Sequence, residues 1–154
     1  MNLLTNILSY QNPDLGQISI NGRRYLTKPD FRYSLILGLA FGNSSTRCTK
    51  NLGQSTKDAL NFFQIFAPII AQKAILDTCN FNPEEQDFWS IDSLTKGSTP
   101  IEAHLNSYEA LVHAKYIIDH EKLDPKNSLF IAHPAHMERV IGLAKKLGLE
   151  GQPF

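Results

Sequence analysis

Cysteine is scarce in this chain: Cys48 and Cys79 are the two among 154 residues, and they form neither a Cys-x-x-Cys pair nor a zinc-ligand spacing. A disulfide framework is therefore not expected, and free thiols in a reducing compartment are. An excess of one charge is missing too, since fifteen Lys and Arg offset fifteen Asp and Glu. No broad nucleic-acid or anionic-membrane footprint is expected, and an anionic ligand has to be captured locally. Long apolar runs are lacking: the longest, residues 35–41, is interrupted by Gly38 and is far too short to span a bilayer. The N-terminus carries no basic region followed by a long apolar core, so no signal peptide is expected and a cytoplasmic location is. There is no Gly-x-Gly-x-x-Gly, no Walker-type phosphate loop and no Gly-x-Ser-x-Gly elbow. No internal repeat or linker divides the chain, so residues 1–154 are expected to form one domain, with an extension over 1–32 and a core over 33–148.

What is present reads as alternating strands and helices. Residues 17–26 alternate around Asn21-Gly22, the pair that tolerates positive φ at both turn positions, and predict a small hairpin. Tyr33 to Phe41 lacks polar alternation, as a strand covered on both faces does. A small polar loop, 42–54, follows it, and Ser55 with Asp58 predicts a capping box that opens the next helix. Phe62, Phe63, Phe66 and Trp89 are expected in the core. Pro68–Gln72 and Phe88–Asp92 predict further strands. For the next helix two starts compete, one at Thr99-Pro100 and one at Asn106, which leaves Asn106, Ser107 and Glu109 at an exposed N-terminus. Tyr108, Leu111, Val112, Lys115 and Ile118 are expected along one side of it, and His104, His113 and His120 on the surface. Strands alternating with helices imply right-handed crossovers, hence a doubly wound, mostly parallel, three-layer α/β sheet.

The clearest stretch runs from Ser128 to Gly148. Ser128–Ala132 is a short apolar strand that breaks directly into a helix, with Pro134 suited to its first position and Gly148 to the left-handed residue that ends it. Met137, Val140, Ile141, Ala144 and Leu147 form the buried stripe. His136 and Arg139 then share one face beside the N-terminal turn, at the carboxyl end of a strand, where open α/β sheets place ligands. A guanidinium there can donate a fork to phosphate or carboxylate, and an imidazole can transfer a proton near neutral pH. The loop Gly42, Asn43, Ser44, Ser45, Thr46 and Arg47 offers backbone donors, hydroxyls and a cation to the same anion. Glu109 reads equally as a general base or as the third helical position of a capping box. His133 and His136 would chelate a metal only with carboxylates such as Glu109 or Asp92, and no metal site is assigned.

Three pieces occur in order: an apolar strand ending in a small-residue loop at 38–45, Asn-Ser-Tyr-Glu-Ala at 106–110, and Leu-Phe-Ile-Ala-His-Pro-Ala-His-Met-Glu-Arg at 129–139. Together they resemble the bacterial domain-of-unknown-function family that includes the YdcF, SanA and ElyC proteins, over about residues 33–148. Ala110 stands where that family's motif has Asn, and His133 where a small hydroxyl residue is common. The resemblance implies a Rossmann-like fold and a pocket formed by the loop after residue 41, the Ser107–Glu109 turn and His136 with Arg139. Taken with the residues themselves, His136 and Glu109 are the candidate catalytic residues, and the 42–47 loop, Asn106, Ser107, His133 and Arg139 the candidate ligand contacts. A small anionic or nucleotide-like ligand is implied, with S-adenosylmethionine among the candidates. The alternative is a non-catalytic interaction module, with homodimerisation as one form. Whether a bound ligand is transformed is left open by the residues.

Overall fold

The computed structural model describes residues 15–28, 32–40, 46–63, 67–97 and 105–154. A hairpin, β1 (Gly16–Ile20) and β2 (Arg23–Thr27), comes first. Its turn is Asn21-Gly22, with φ of 52° and 78°, and Ile20 pairs with Arg23 across it. Both positive φ values are what the Asn-Gly pair permits at low cost, so the turn is set by local chemistry.

The main sheet starts with β3 (Leu35–Leu39), whose five residues are all buried. Then come α1 (Thr46–Phe63), β4 (Ile69–Ala71), α2 (Lys73–Cys79), β5 (Phe88–Ser90) and β6 (Thr95–Lys96). The second half holds α3 (Ser107–Glu121), β7 (Ser128–Ala132), a 3-10 turn (Pro134–His136), α4 (Met137–Lys146) and β8 (Gly151–Pro153). The strand order is β6-β5-β4-β3-β7-β8. β6 runs antiparallel to β5 and every other pairing is parallel. Taking the parallel strands alone in chain order, the sheet reads 3-2-1-4-5, the doubly wound Rossmann-like arrangement.

Alternation along the strands sorts the core into two layers. Leu35, Leu37, Ile70, Trp89, Phe130 and Ala132 pack with Ala110, Leu111 and Ala114 of α3 and Met137, Val140 and Ala144 of α4. Ile36, Ile69, Ala71, Leu129 and Ile131 face the other way, toward Leu52 and Ala59 of α1 and Ile75 of α2. On that second face the hairpin covers the β8 end of the sheet. Tyr25 stacks on Phe154 with ring centroids 4.1 Å apart and planes 9° from parallel. Its hydroxyl donates to Asp58 Oδ2 of α1 at 2.9 Å, and Gln54 Nε2 donates to the other oxygen at 2.9 Å. Thr27 and Tyr33 close the far end of the hairpin through their hydroxyls. A carboxylate only 3% exposed is thus satisfied on both oxygens, as buried charge requires.

Several expectations are corrected. The helix after β3 opens at Thr46, not at Ser55, so Arg47 is helical and Ser55–Asp58 is no capping box. Gly53 is tolerated inside α1 because α2 crosses there: a Cβ at 53 would stand 1.9 Å from Thr78 Oγ1 and 3.0 Å from its Cβ. Phe62 is 43% exposed rather than core, Phe63 is half-buried, and Phe66 lies outside the described residues. On α3 the buried side is Ala110, Leu111, Ala114, Ile117 and Ile118, while Tyr108 and Val112 face outward. Two small alanines let α3 sit close to the sheet, and that rotates the larger side chains away. The sheet also continues past residue 148, since β8 pairs with β7 through Ser128–Gly151 to Phe130–Pro153.

Candidate functional site

β3 and β7 are neighbours, with Leu39 level with Ala132, and the chain leaves them toward opposite faces. From β3 it enters α1 on one face, and from β7 it enters the 3-10 turn and α4 on the other. This is the point where the strand order reverses, and the starts of two chain segments open there at the carboxyl edge of the sheet. Gly42, Asn43, Ser44 and Ser45 lie outside the described residues. Thr46 begins α1, and Arg47 is exposed in its first turn.

His133 follows β7 directly. Its Nδ1 accepts the Ala135 N–H at 3.1 Å, which caps the 3-10 turn that Pro134 opens. Because Nδ1 accepts, the proton of the neutral ring sits on Nε2. The His136 ring lies 6.0 Å from that of His133, inclined by 51°. Its pKa is lowered from the ordinary 6.5, first by burial and then by the positive charges of His133 and Arg139. The shift favours neutral imidazole, a form able to accept a proton. Arg139 is exposed in the first turn of α4, and Met137 and Val140 anchor that turn beneath it.

The α3 start is the one at Asn106. Asn106 Oδ1 accepts the Glu109 N–H at 2.8 Å, and Glu109 Oε1 accepts the Asn106 N–H at 3.2 Å, a complete capping box. Glu109 therefore has a structural task that accounts for it. Ala110, one residue on, shares an apolar cluster with Met137 at the start of α4, so the two helix starts are anchored in the same layer of the core. The fold thus brings the α1 start, the His133–Arg139 segment and the α3 cap to one edge of the sheet.

A second polar group at that edge was touched by sequence reasoning at Asp92 alone. Gln72, Ser90 and Asp92 are buried at the ends of β4 and β5. Asp92 Oδ1 accepts the Lys73 N–H at 2.7 Å and so holds the start of α2 to the end of β5. The Ser90 hydroxyl is fully buried without a hydrogen-bond partner among the described residues. His113, expected on the surface, is half-buried, with Nδ1 2.9 Å from the Ile91 carbonyl oxygen. A carbonyl only accepts, so Nδ1 carries a proton and donates it here. The available signal was its position between Ala110 and Ala114 on the face that packs. His120, by contrast, is exposed and stacks on Tyr116, and His104 lies outside the described residues. No family model, curated protein or solved structure matches the chain.

Proposed function

We propose that the protein binds a small ligand through a phosphate or carboxylate at the strand-order reversal between β3 and β7. The observation that supports this is the adjacency of those two strands, which sets the α1 start and the His133–Arg139 segment on either side of one edge. Helix N-termini favour negative charge, and Arg139 adds a fork that matches two anionic oxygens. Arg47 adds charge from the other side, in the first turn of α1. Ser107, the Asn106 side-chain nitrogen and the Glu109 oxygen that the cap leaves over hold hydroxyl or amine groups of the same ligand, and neutral His136 is the proton acceptor on this reading. S-adenosylmethionine gains less than a phosphate from such surroundings, because its sulfonium is itself cationic.

Histidine titration followed by NMR tests the reading. In the free protein His136 titrates below 6.5, and Arg139→Ala moves its midpoint upward by removing one of the charges that lower it. Inorganic phosphate raises the midpoint in the wild type, since an anion beside the ring favours the imidazolium. In the variant, phosphate binding weakens by about tenfold, the scale of a lost charge-assisted hydrogen bond, while the melting temperature stays within about two degrees. A His136 midpoint indifferent to phosphate removes the proposed site, and a melting temperature lost in step with binding makes Arg139 a structural residue. The sign for stability follows from the lowered pKa. The contribution of His136 is complete above its unfolded value and is lost as the pH falls through the folded one.

A second reading, an interaction module that self-associates, draws on α3. Tyr108, Val112 and Tyr116, four residues apart, are 51%, 38% and 55% exposed along one line. Sedimentation across a hundredfold concentration range is expected to show a dimer if that line is an interface, and Val112→Glu to abolish it. A monomer throughout removes this reading.

A further inference from the structure

Asn21-Gly22 is the single Asn-Gly step of the chain, and it forms the exposed tip of the hairpin. Such a step is chemically weak wherever the backbone can flex, because glycine has no side chain to shield its own nitrogen. That nitrogen can attack Cγ of the preceding asparagine. The N–Cγ bond forms and the Cγ–Nδ2 bond breaks, the glycine amide proton leaves with the NH2 as ammonia, and a five-membered succinimide remains. Water then opens the ring at either carbonyl, giving aspartate or isoaspartate at 21. The described Asn-Ser steps are tied down by comparison: Asn106 Oδ1 accepts the Glu109 N–H at 2.8 Å, and the Ser128 N–H donates to the Glu150 carbonyl oxygen at 3.1 Å.

In the folded hairpin the attack is out of reach. With φ of 52° at Asn21 and 78° at Gly22 the turn is type I′. Its first central ψ is about +30°, the mirror of type I, which turns the Gly22 nitrogen almost directly away from Cβ of Asn21. Ring closure needs those two atoms eclipsed. The ψ of Asn21 therefore has to rotate by more than a right angle, and it cannot while Ile20 stays paired with Arg23. Opening that pair means loosening the hairpin from the body. Ile20 packs on the layer beneath α1, Arg23 Nη2 donates to Asn51 at 3.4 Å, and Tyr25 stacks on Phe154 and donates to Asp58.

We propose that Asn21 is a deamidation site gated by hairpin docking: the undocked hairpin reacts, the docked one does not, and the isoaspartyl product keeps the hairpin from docking again. The aspartyl product is tolerated, since Asp-Gly suits the same turn. The isoaspartyl product routes the main chain through Cβ and Cγ and so adds a carbon to a two-residue turn. Ile20 and Arg23 then fall out of register, and Tyr25, two residues on, is drawn off Phe154 and Asp58. A brief opening becomes a lasting one, with Asp58 and the Phe154 ring left uncovered. The reaction consumes only water and involves none of the residues of the anion site.

Mass spectrometry of proteolytic peptides, taken from the full chain incubated in mildly alkaline buffer, tests it. The mass gain of replacing NH2 by OH is expected at residue 21, with the aspartyl and isoaspartyl peptides separated by retention. The native rate is expected to be about tenfold or more below that of the same chain in urea, because only the open fraction reacts. Phe154→Ala removes the ring that holds Tyr25 and raises the native rate about tenfold, although residue 154 takes no part in the chemistry. Slow amide exchange in β3 and β4 shows that this variant keeps its sheet. Purified isoaspartyl protein exchanges faster in β1 and β2 alone, whereas Asn21→Asp exchanges as the unmodified chain does. Asn21→Gly keeps the turn and yields no product. A native rate equal to that in urea, or one that Phe154→Ala leaves unchanged, overturns the gate. No product at 21 even in urea overturns the site, and an isoaspartyl protein whose hairpin stays protected overturns the loss of docking.

Discussion

Phe130→Ala is expected to remove about 3–5 kcal/mol of stability, the cost of deleting a fully buried aromatic ring and leaving a cavity. Phe130 is wholly buried at the middle of β7, between Leu37 of β3 and Pro153 of β8. Its ring belongs to the layer that α3 and α4 share, so both helices that carry site residues lose a common support. A domain of this size has roughly 5–15 kcal/mol in all, so the loss is a large fraction of the total. Urea denaturation reads the loss directly, as a lower midpoint at unchanged slope. A change under 1 kcal/mol would mean that the layers are not packed as described. Phe130→Leu should recover more than half of the loss, since it refills most of the cavity.

The second large effect comes from adding atoms. A Cβ at Gly151 would lie 2.0 Å from the Ser128 carbonyl oxygen, 2.7 Å from its carbon and 2.9 Å from Phe130 Cε2. Backbone cannot rotate aside as a side-chain tip can, so Gly151→Ala has to push β8 away from β7. About 1–3 kcal/mol is the expected cost of such overpacking. The loss is also local in a readable way. Displacing β8 breaks the Phe154 N–H bond to the Phe130 carbonyl oxygen and unstacks Phe154 from Tyr25. Amide exchange should therefore accelerate at residues 151–154 and in β2, with β3 and β4 unaffected. Uniform acceleration across the sheet, or none, contradicts a clash confined to this edge.

These two positions show how differently parts of the molecule were legible. The strand over 128–132 and the helix after it were marked by an apolar run, by Pro134 and by Gly148, whose φ is +77°. Each of those signals acts on its own few residues. The need for glycine at 151 was invisible, because the atom it must avoid is 23 positions away in sequence and becomes a neighbour only when β8 pairs with β7. Ser55 and Asp58 misled for the same reason. Their spacing fits a cap, but α1 begins nine residues earlier and runs through both, and Asp58 is taken by Tyr25 of the hairpin.

The candidate site divides along the same line. His136, Arg139 and the Asn106–Glu109 cap could be singled out from local pattern, since helix starts announce themselves through Pro, Asn and Glu. That His113 would bond the Ile91 carbonyl, or that Arg23 would reach the second turn of α1, could not. By itself the sequence determined the hairpin, the buried strand over 128–132 and the alternating α/β class, and it narrowed the α3 start to two candidates, because hydrophobic period, turn residues and caps act within a few positions. The tertiary structure decided the strand order and the placing of the hairpin over one face. Those depend on which distant surfaces bury one another, and burial between segments far apart in the chain is a property of the folded packing alone.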